Sequence, residues 1–291
     1  MMKKWVCSVL AVLFLVSMLA SCGGGTSISI AYVRLANQVT NLFIENSGIA
    51  SLTETVTYLN RDGSENYTYT LYYERAEDIY AGYNLCEIAG EYRLYAYEGA
   101  VYTDEGDGVC AVLLLVGSYT DYIGDYLNGE FPLDGDILNQ RSSKRDGEAI
   151  IAEYRSAITP QRAAALSAFG ITDRDTVISC YTVMDGFITS IEYFIETESE
   201  TYPFAVRRFE KSETKANHFS DVSGFVPWIS VDIVFPNSEE QGRHFTVPSG
   251  VMVGIDDGNR GYSFFRDEEC TIPYSYRDGV ITESLVLYVK N

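Results

Sequence analysis

The sequence feature that most constrains the fold is a series of short segments in which polar and apolar residues alternate between residues 53 and 116. The first two segments, 53–60 and 65–74, flank the dipeptide Asp62-Gly63. Asp-Gly supplies the positive backbone angles that a tight hairpin needs. Similar segments follow at 79–88, 92–97, 100–103 and 109–116. The pattern predicts an antiparallel meander, with Tyr67, Tyr69, Leu71 and Tyr73 on one face of its second strand.

Three helices are predicted around this meander. In the first, 29–46, apolar residues recur at steps of three and four. The second begins at Ser118 and extends to about residue 127. The third begins at Thr159-Pro160, a capping hydroxyl followed by proline, and ends at Gly170. Strands are predicted before it at 149–158 and after it at 176–184, 187–196 and 201–210. The predicted class is therefore α+β, with a curved, incomplete-barrel-like antiparallel sheet packed with helices.

The N-terminus has the features of an export signal. Lys3 and Lys4 precede an uncharged run from Trp5 to Leu19, which is shorter than the roughly 20 residues that span a bilayer. The following Leu19-Ala20-Ser21-Cys22 resembles the lipobox of bacterial lipoproteins. This resemblance implies cleavage after residue 21, a lipid on the Cys22 sulfur and attachment to the extracytoplasmic face of the bacterial cell membrane. The alternative is an ordinary Cys22 beside a secretory cleavage site.

The rest of the chain is predicted to form two domains. Residues 22–27 are a short glycine-rich tether, and residues 28–211 form the helix-and-sheet domain. Residues 212–227 are a polar linker that precedes a second domain at 228–291. The order of elements from 27 to 211, with the anchor, resembles the LolA-like and LppX-like lipoprotein carriers. That family holds an acyl ligand between an incomplete barrel and helices, and no residue is carried over from it.

The segment 229–291 resembles the internalin-B-type repeat, also called the Listeria–Bacteroides repeat. The resemblance rests on the aromatic segment 261–265, on Thr271-Ile272-Pro273-Tyr274 and on the final strand 285–290. The usual Asn-Gly-Gly is replaced by Pro236-Asn237-Ser238, and Phe265 stands where that family has tryptophan. The resemblance implies a small β-grasp domain that presents a surface rather than catalysing a reaction.

Few residues suit catalysis. The net charge of −20 disfavours nucleic acid as a partner. His218 and His244 are the only histidines, and the sequence contains no nucleophile elbow, HExxH motif or phosphate loop. We therefore predict no catalytic residue and no cofactor, with a carboxylate-dependent hydrolase as the less favoured alternative. The acidic turns 104–107 and 256–259 lack the alternation of a calcium loop, so we predict no metal site.

Four cysteines follow the predicted anchor, at positions 86, 110, 180 and 270. Each lies among apolar or aromatic residues, which is typical of buried free thiols. The compartment also allows disulfides, and the pair to test is Cys86 with Cys110.

The tyrosines are the one compositional excess, with 23 in the chain. A tyrosine presents an apolar ring with a polar tip, which suits contact with a glycan, peptide or lipid. The alternative is that they are present only because aromatic residues favour strands. The residues we predict to bind a ligand are Tyr67, Tyr69, Tyr72, Tyr73, Tyr95 and Tyr97. The predicted function is a non-catalytic, membrane-anchored lipoprotein that binds a cell-envelope glycan, protein or lipid; the alternative is a LolA-like carrier of lipid or another hydrophobic ligand.

Overall fold

The structure, a computed structural model, describes residues 49–76, 83–106, 108–117, 122, 139–215, 217–219, 227–236 and 240–290. The predicted export signal, Cys22, the tether and the helix at 29–46 lie outside these ranges, as does nearly all of the predicted helix after Ser118. The described residues belong to two compact units. We call residues 139–204 the middle unit, and residues 49–117 with 205–290 the main unit.

Nearly all of the described chain is β-strand. The main unit contains β1 (Ser51–Leu59), β2 (Glu65–Arg75), β3 (Tyr83–Ala89), β4 (Tyr92–Tyr97), β5 (Ala100–Asp104), β6 (Val109–Leu115), β12 (Trp228–Val234), β13 (Arg243–Pro248), β14 (Met252–Asp256), β15 (Ser263–Phe265) and β16 (Leu285–Lys290). The middle unit contains β7 (Asn139–Asp146), β8 (Ala149–Ala157), helix α1 (Pro160–Leu166), β9 (Thr176–Met184) and β10 (Phe187–Glu196). Strand β11 (Thr201–Ser212) begins in the middle unit and ends in the main unit.

The predicted meander is confirmed in the main unit, where antiparallel strands follow the order β6-β5-β4-β3-β2-β1-β11. The β1–β2 turn shows why the sequence folds this way. Gly63 has φ of 83° and donates its N–H to the carbonyl of Asn60 at 2.9 Å. The Asp62 carboxylate accepts the N–H of Ser64 at 2.9 Å, so the side chain closes the turn from within.

The middle unit confirms the predicted helix start and stop. The Thr159 hydroxyl caps α1 by accepting the N–H of Arg162, Pro160 opens the helix, and Gly170 ends the following 3₁₀ turn in the left-handed region. Strands β9 and β10 have the predicted bounds. Strand β7 was not predicted, because its sequence Asn-Gln-Arg-Ser-Ser-Lys-Arg-Asp contains no apolar residue and therefore has no alternation to detect. It forms by pairing with β8 across the Gly147 turn.

The α+β prediction is wrong. Helix α1 is the one α-helix whose bounds lie within the described residues, and it is seven residues long. In the main unit, the sheet face that carries Cys86, Tyr95 and Tyr102 packs instead against a second sheet, of order β13-β12-β16-β15. Among the described residues, this face of the meander is therefore covered by strands. Among the described residues, no helix has both the length and the apolar character needed to cross a bilayer.

The β-grasp prediction for the C-terminal segment is also wrong. A β-grasp sheet wraps a helix of its own, whereas the four-stranded sheet here packs on residues of β3 to β6. Strand β14 leaves that sheet and pairs in parallel with β6, from Met252 opposite Ala111 to Asp256 opposite Leu115. Contacts thus group residues 205–291 with residues 38–129, whereas the sequence predicted a separate domain at 228–291.

One apolar core holds the main unit together. Its fully buried members come from both sheets: Leu114 from β6, and Val231, Val247 and Leu287 from the second sheet. The Tyr102 hydroxyl donates to the carbonyl of Thr246 at 3.2 Å. Each large aliphatic side chain buried in this way contributes about 1.5–3 kcal/mol.

Shortening a core side chain of β6 should therefore also destabilise the C-terminal strands. In a chain that begins at residue 23, Trp228 is the single tryptophan, and its ring lies edge-on to Tyr102 at 6.4 Å. We expect Leu114→Ala to lower the free energy of unfolding by about 2–5 kcal/mol, because it opens a cavity in the shared core. The urea transition followed by Trp228 fluorescence should shift to lower denaturant.

The control is Val286→Ala, on the exposed side of β16, which should leave the transition within about 0.5 kcal/mol of wild type. A Leu114→Ala transition that shifts by far-UV circular dichroism while Trp228 fluorescence stays in place would contradict the shared core. It would instead support an independent C-terminal domain.

Candidate functional site

A buried ion pair lies on the other face of the main sheet, where β1 is flanked by β2 and β11. Glu54 is directly opposite Phe209 of β11, and Val56 is directly opposite Arg207. Since residues two apart on a strand share a face, the Glu54 and Arg207 side chains meet on the diagonal. The Arg207 Nε donates to Glu54 Oε1 at 2.7 Å, and the two side chains are 5% and 3% exposed.

Neighbouring groups make further contacts with this pair. The Tyr73 hydroxyl, from β2, donates to Glu54 Oε2 at 3.3 Å, so both carboxylate oxygens accept a hydrogen bond. The Arg207 guanidinium lies over the Phe209 ring, 5.2 Å from its centroid. Desolvating two charges costs several kcal/mol per ion, and only good geometry with additional hydrogen bonds offsets that cost. The pair therefore depends on all three strands being in register.

Tyrosines continue from the ion pair along the same face. We call Tyr58, Tyr67, Tyr69 and Tyr73 the tyrosine row. Val56 is opposite Tyr69, and Tyr58 is opposite Tyr67, which places the row on the face of Glu54. The Tyr58 and Tyr69 ring centroids are 6.5 Å apart, and those of Tyr67 and Tyr69 are 6.0 Å apart. Exposure rises along the row, from 0% at Tyr73 to 49% at Tyr67 near the β1–β2 turn.

The environment keeps the inner tyrosines protonated. Burial raises the pKa of Tyr58, Tyr69 and Tyr73 above the ordinary value, and for Tyr69 the neighbouring Tyr58 and the Glu54 carboxylate raise it further. At neutral pH these hydroxyls are hydrogen-bond donors and acceptors rather than bases. The row therefore offers apolar ring faces, polar tips and no proton acceptor of the strength that general-base catalysis uses.

The six tyrosines predicted to bind a ligand do not form one surface. Tyr67, Tyr69 and Tyr73 belong to the row. The register of β2, β3 and β4 places the other three on the opposite face: Tyr72, Tyr95 and Tyr97. Tyr95 is 1% exposed within the shared core, and Tyr72 and Tyr97 pack against that core. The structure thus separates the predicted set into two groups that cannot contact one ligand.

Sequence reasoning missed Glu54, Arg207 and Tyr58 as members of the site. A usable signal was present in the alternation of each strand. Glu54 lies on the same strand face as the buried Leu52 and Val56, and Arg207 lies on the same face as the buried Ala205 and Phe209. A charged residue on the buried face of a strand indicates a buried partner of opposite charge. The sequence could not show that these two strands are neighbours.

The other residues considered for chemistry are engaged locally. His244 Nδ1 lies 2.7 Å from Asp232 Oδ1 on the adjacent strand, in an exposed contact. The Asp104 and Asp256 carboxylates accept backbone N–H groups of their own turns, from Gly106 and Gly258. Across the described ranges, no three histidine, cysteine or acidic side chains form a group that could hold a metal ion.

Cys180 and Cys270 are free thiols. Cys86 is buried, and the side chain of Cys110 lies outside the part of the chain that the structure describes, so the Cys86–Cys110 disulfide stays a prediction. Burial raises the pKa of Cys180 to about 11, with Glu153 and Glu192 adding to the effect. Because the thiolate is the reactive form, Cys180 is an unreactive thiol near neutral pH.

Comparison with known proteins assigns no family to the chain. No protein-family model and no curated protein matches it, so the resemblance to internalin-B-type repeats is unsupported. Two solved structures are similar over most of their own length. LprF from Mycobacterium bovis has 8% identity and a TM-score of 0.27, covering 63% of this chain and 93% of that chain. A DUF1329 family protein from Desulfovibrio piger has 11% identity and a TM-score of 0.28, covering 67% and 97%.

Removing one partner of the buried pair should be costly. We expect Glu54→Gln or Arg207→Gln to lower the free energy of unfolding by about 3–5 kcal/mol, because each leaves the remaining charge buried and uncompensated. Urea denaturation followed by circular dichroism measures this loss. The double variant Glu54→Leu/Arg207→Met removes both charges together and should recover most of the stability. A single variant as stable as wild type would mean that the pair is solvated rather than buried.

The raised tyrosine pKa values set an alkaline limit on stability. Above about pH 10, the ordinary tyrosine value, these groups ionise in the unfolded chain while the folded chain keeps them protonated. The folded state then binds more protons, so its stability falls as pH rises, by about 1.4 kcal/mol per pH unit for each such tyrosine. We expect Tyr69→Phe to reduce this slope by about that amount between pH 10 and 11. Between pH 7 and 9 the free energies of unfolding of the variant and the wild type should change with pH in parallel. If the slope above pH 10 were the same in both proteins, the raised pKa of Tyr69 would be contradicted.

Proposed function

We propose that this protein is a non-catalytic binding protein, held by a lipid on Cys22 at the extracytoplasmic face of the bacterial membrane, that binds an amphiphilic ligand along the tyrosine row. The observation that carries the proposal is the gradient of exposure along one sheet face, from exposed Tyr67 through half-buried Tyr58 and Tyr69 to the buried Tyr73 and its ion pair. A structural core alone would not need tyrosines that lead out to solvent.

The chemistry of the row suits a ligand with an apolar chain and a polar group. Ring faces at Tyr67 and Tyr69 offer an apolar surface, and their hydroxyls offer donors at its border. Glu54 and Arg207 neutralise each other, so the inner end of the row is polar without net charge. An uncharged or zwitterionic headgroup fits such a surface better than a strongly charged one.

A binding role is also favoured by the state of the titratable groups. Glu54 is held by Arg207 and Tyr73, and the raised pKa of Tyr69 keeps its hydroxyl protonated. The Tyr69 hydroxyl is therefore not a general base near neutral pH. The lipobox-like Leu19-Ala20-Ser21-Cys22 supports the location, because an anchored chain with two or more acyl groups stays on its membrane.

Binding can be tested with a chain that begins at residue 23, so that the anchor does not interfere. Titration with the fluorescent fatty acid cis-parinaric acid, together with native mass spectrometry for co-purified lipid, measures occupancy. We expect the double variant Tyr67→Ser/Tyr69→Ser to weaken binding about tenfold, which corresponds to about 1.4 kcal/mol. The matched control is Tyr276→Ser, which removes a tyrosine of similar exposure, 51%, outside the row.

Four outcomes would count against the proposal. Equal loss of binding in Tyr276→Ser would show that surface aromatics bind the probe without a site. Absence of both probe binding and co-purified lipid would remove the amphiphile as ligand. Conversion of a bound lipid to a product, abolished by Glu54→Gln, would replace the non-catalytic reading with the hydrolase alternative. A Cys22→Ser variant recovered in the membrane fraction would contradict the anchor.

A further inference from the structure

A cleft lies in the main unit, beside the β12–β13 hairpin. It has a volume of about 250 Å³ and is lined by Phe235, Glu240, Gln241, Gly242, Arg243 and Arg260. None of these residues belongs to the tyrosine row. The volume falls just below the range of about 300–1,000 Å³ typical of sites for drug-sized ligands, so the cleft suits a single small ring.

One wall of the cleft is a fixed network of polar side chains. Arg260 Nη1 donates to Glu240 Oε1 at 2.9 Å, and the Tyr262 hydroxyl donates to Glu240 Oε2 at 2.8 Å. These two hydrogen bonds reach both oxygens of the Glu240 carboxylate and fix the direction in which it points. Its orientation is thus set before any ligand arrives, which lowers the entropic cost of binding.

The absence of a side chain at Gly117 leaves room for Arg260. A Cβ atom at Gly117 would lie 2.8 Å from Arg260 Nε and 3.1 Å from the carbonyl oxygen of Asp257. Glycine at 117 therefore lets the guanidinium lie against the chain. Beside this network, the Phe235 and Tyr262 rings contact edge to face with centroids 5.7 Å apart, and Phe235 gives the cleft an apolar surface.

The described residues that line the cleft carry a net positive charge, whereas the protein as a whole is negative. Two arginines and one glutamate line it, whereas the chain as a whole carries −20. Arg260 is paired with Glu240. Arg243 is exposed and has no carboxylate within ion-pair distance among the residues that the structure describes. Its guanidinium can therefore bind a ligand carboxylate through two parallel hydrogen bonds.

We propose that this cleft binds an acidic sugar residue, such as a uronic acid at the end of a glycan. The sugar carboxylate pairs with Arg243, its ring hydroxyls donate to Glu240, and the Gln241 amide contacts a further hydroxyl. The C–H face of the sugar packs on the apolar surface made by Phe235 and Tyr262. The combination of a cation for the carboxylate and an oriented acceptor for hydroxyls distinguishes this ligand from a simple carboxylic acid. The proposal does not depend on the amphiphile site.

Isothermal titration with the chain from residue 23 tests this assignment, with trigalacturonate as probe and the neutral galactose trimer and succinate as comparisons. We expect trigalacturonate to bind at least tenfold more tightly than either, with an affinity that falls as salt rises. Arg243→Gln and Glu240→Gln should each reduce affinity about tenfold or more. Gly117→Ala should also weaken binding, because it displaces Arg260 without changing any side chain of the cleft wall.

The matched control is Arg208→Gln, which removes an equally exposed arginine from β11, outside the cleft. It should leave the affinity unchanged, and so should Tyr67→Ser/Tyr69→Ser, which separates this site from the tyrosine row. Equal binding of the neutral trimer, equal loss in Arg208→Gln, or absence of trigalacturonate binding by folded wild-type protein would overturn the proposal. Circular dichroism on each variant confirms that a loss of binding is not a loss of fold.

Discussion

The main unit depends on the apolar contact between one face of its antiparallel meander and the strands contributed by the last sixty or so residues of the chain. Tyr95 and Leu114 on one side, and Val231 and Leu287 on the other, are at most 1% exposed. Neither sheet could leave such a face in water, because an antiparallel sheet needs at least one covered face. The parallel pairing of β14 with β6 extends the same association into the backbone.

One face of the meander is buried against the second sheet, and the other face carries the buried ion pair and the tyrosine row. On that face the register of β1 with β2 and β11 brings Glu54, Arg207 and Tyr73 together, and it orders the tyrosines from buried to exposed. A slip of one residue would turn Glu54 away from Arg207 and leave a charge among apolar side chains. The site and the sheet therefore specify each other: the strands position the pair, and the cost of an unpaired charge excludes other registers.

Local sequence reasoning succeeded where the determinants are local. Asp62-Gly63 closes the first hairpin, Thr159-Pro160 starts the one described helix, and alternation gave β9 and β10 their bounds. It failed at β7, which is polar throughout, and at the C-terminal strands, whose resemblance to a separate domain concealed their packing on β3 to β6. The tyrosine prediction was correct only in part. Alternation places Tyr67, Tyr69 and Tyr73 on one face of β2 and Tyr72 on the other, but it does not show which part of the protein packs against each face.

The sequence by itself determined the strand-rich meander, its turns, the capped helix and the lipobox-like anchor motif, since each of these depends on residues a few positions apart. Only the tertiary structure decided that a second sheet covers one face of the meander in the main unit. It also decided that Glu54 meets Arg207 across 153 positions of chain, and that Glu240, Arg260 and Tyr262 form one network at the edge of a cleft. Those outcomes depend on which strands become neighbours, and periodicity within a segment carries no information about its partner.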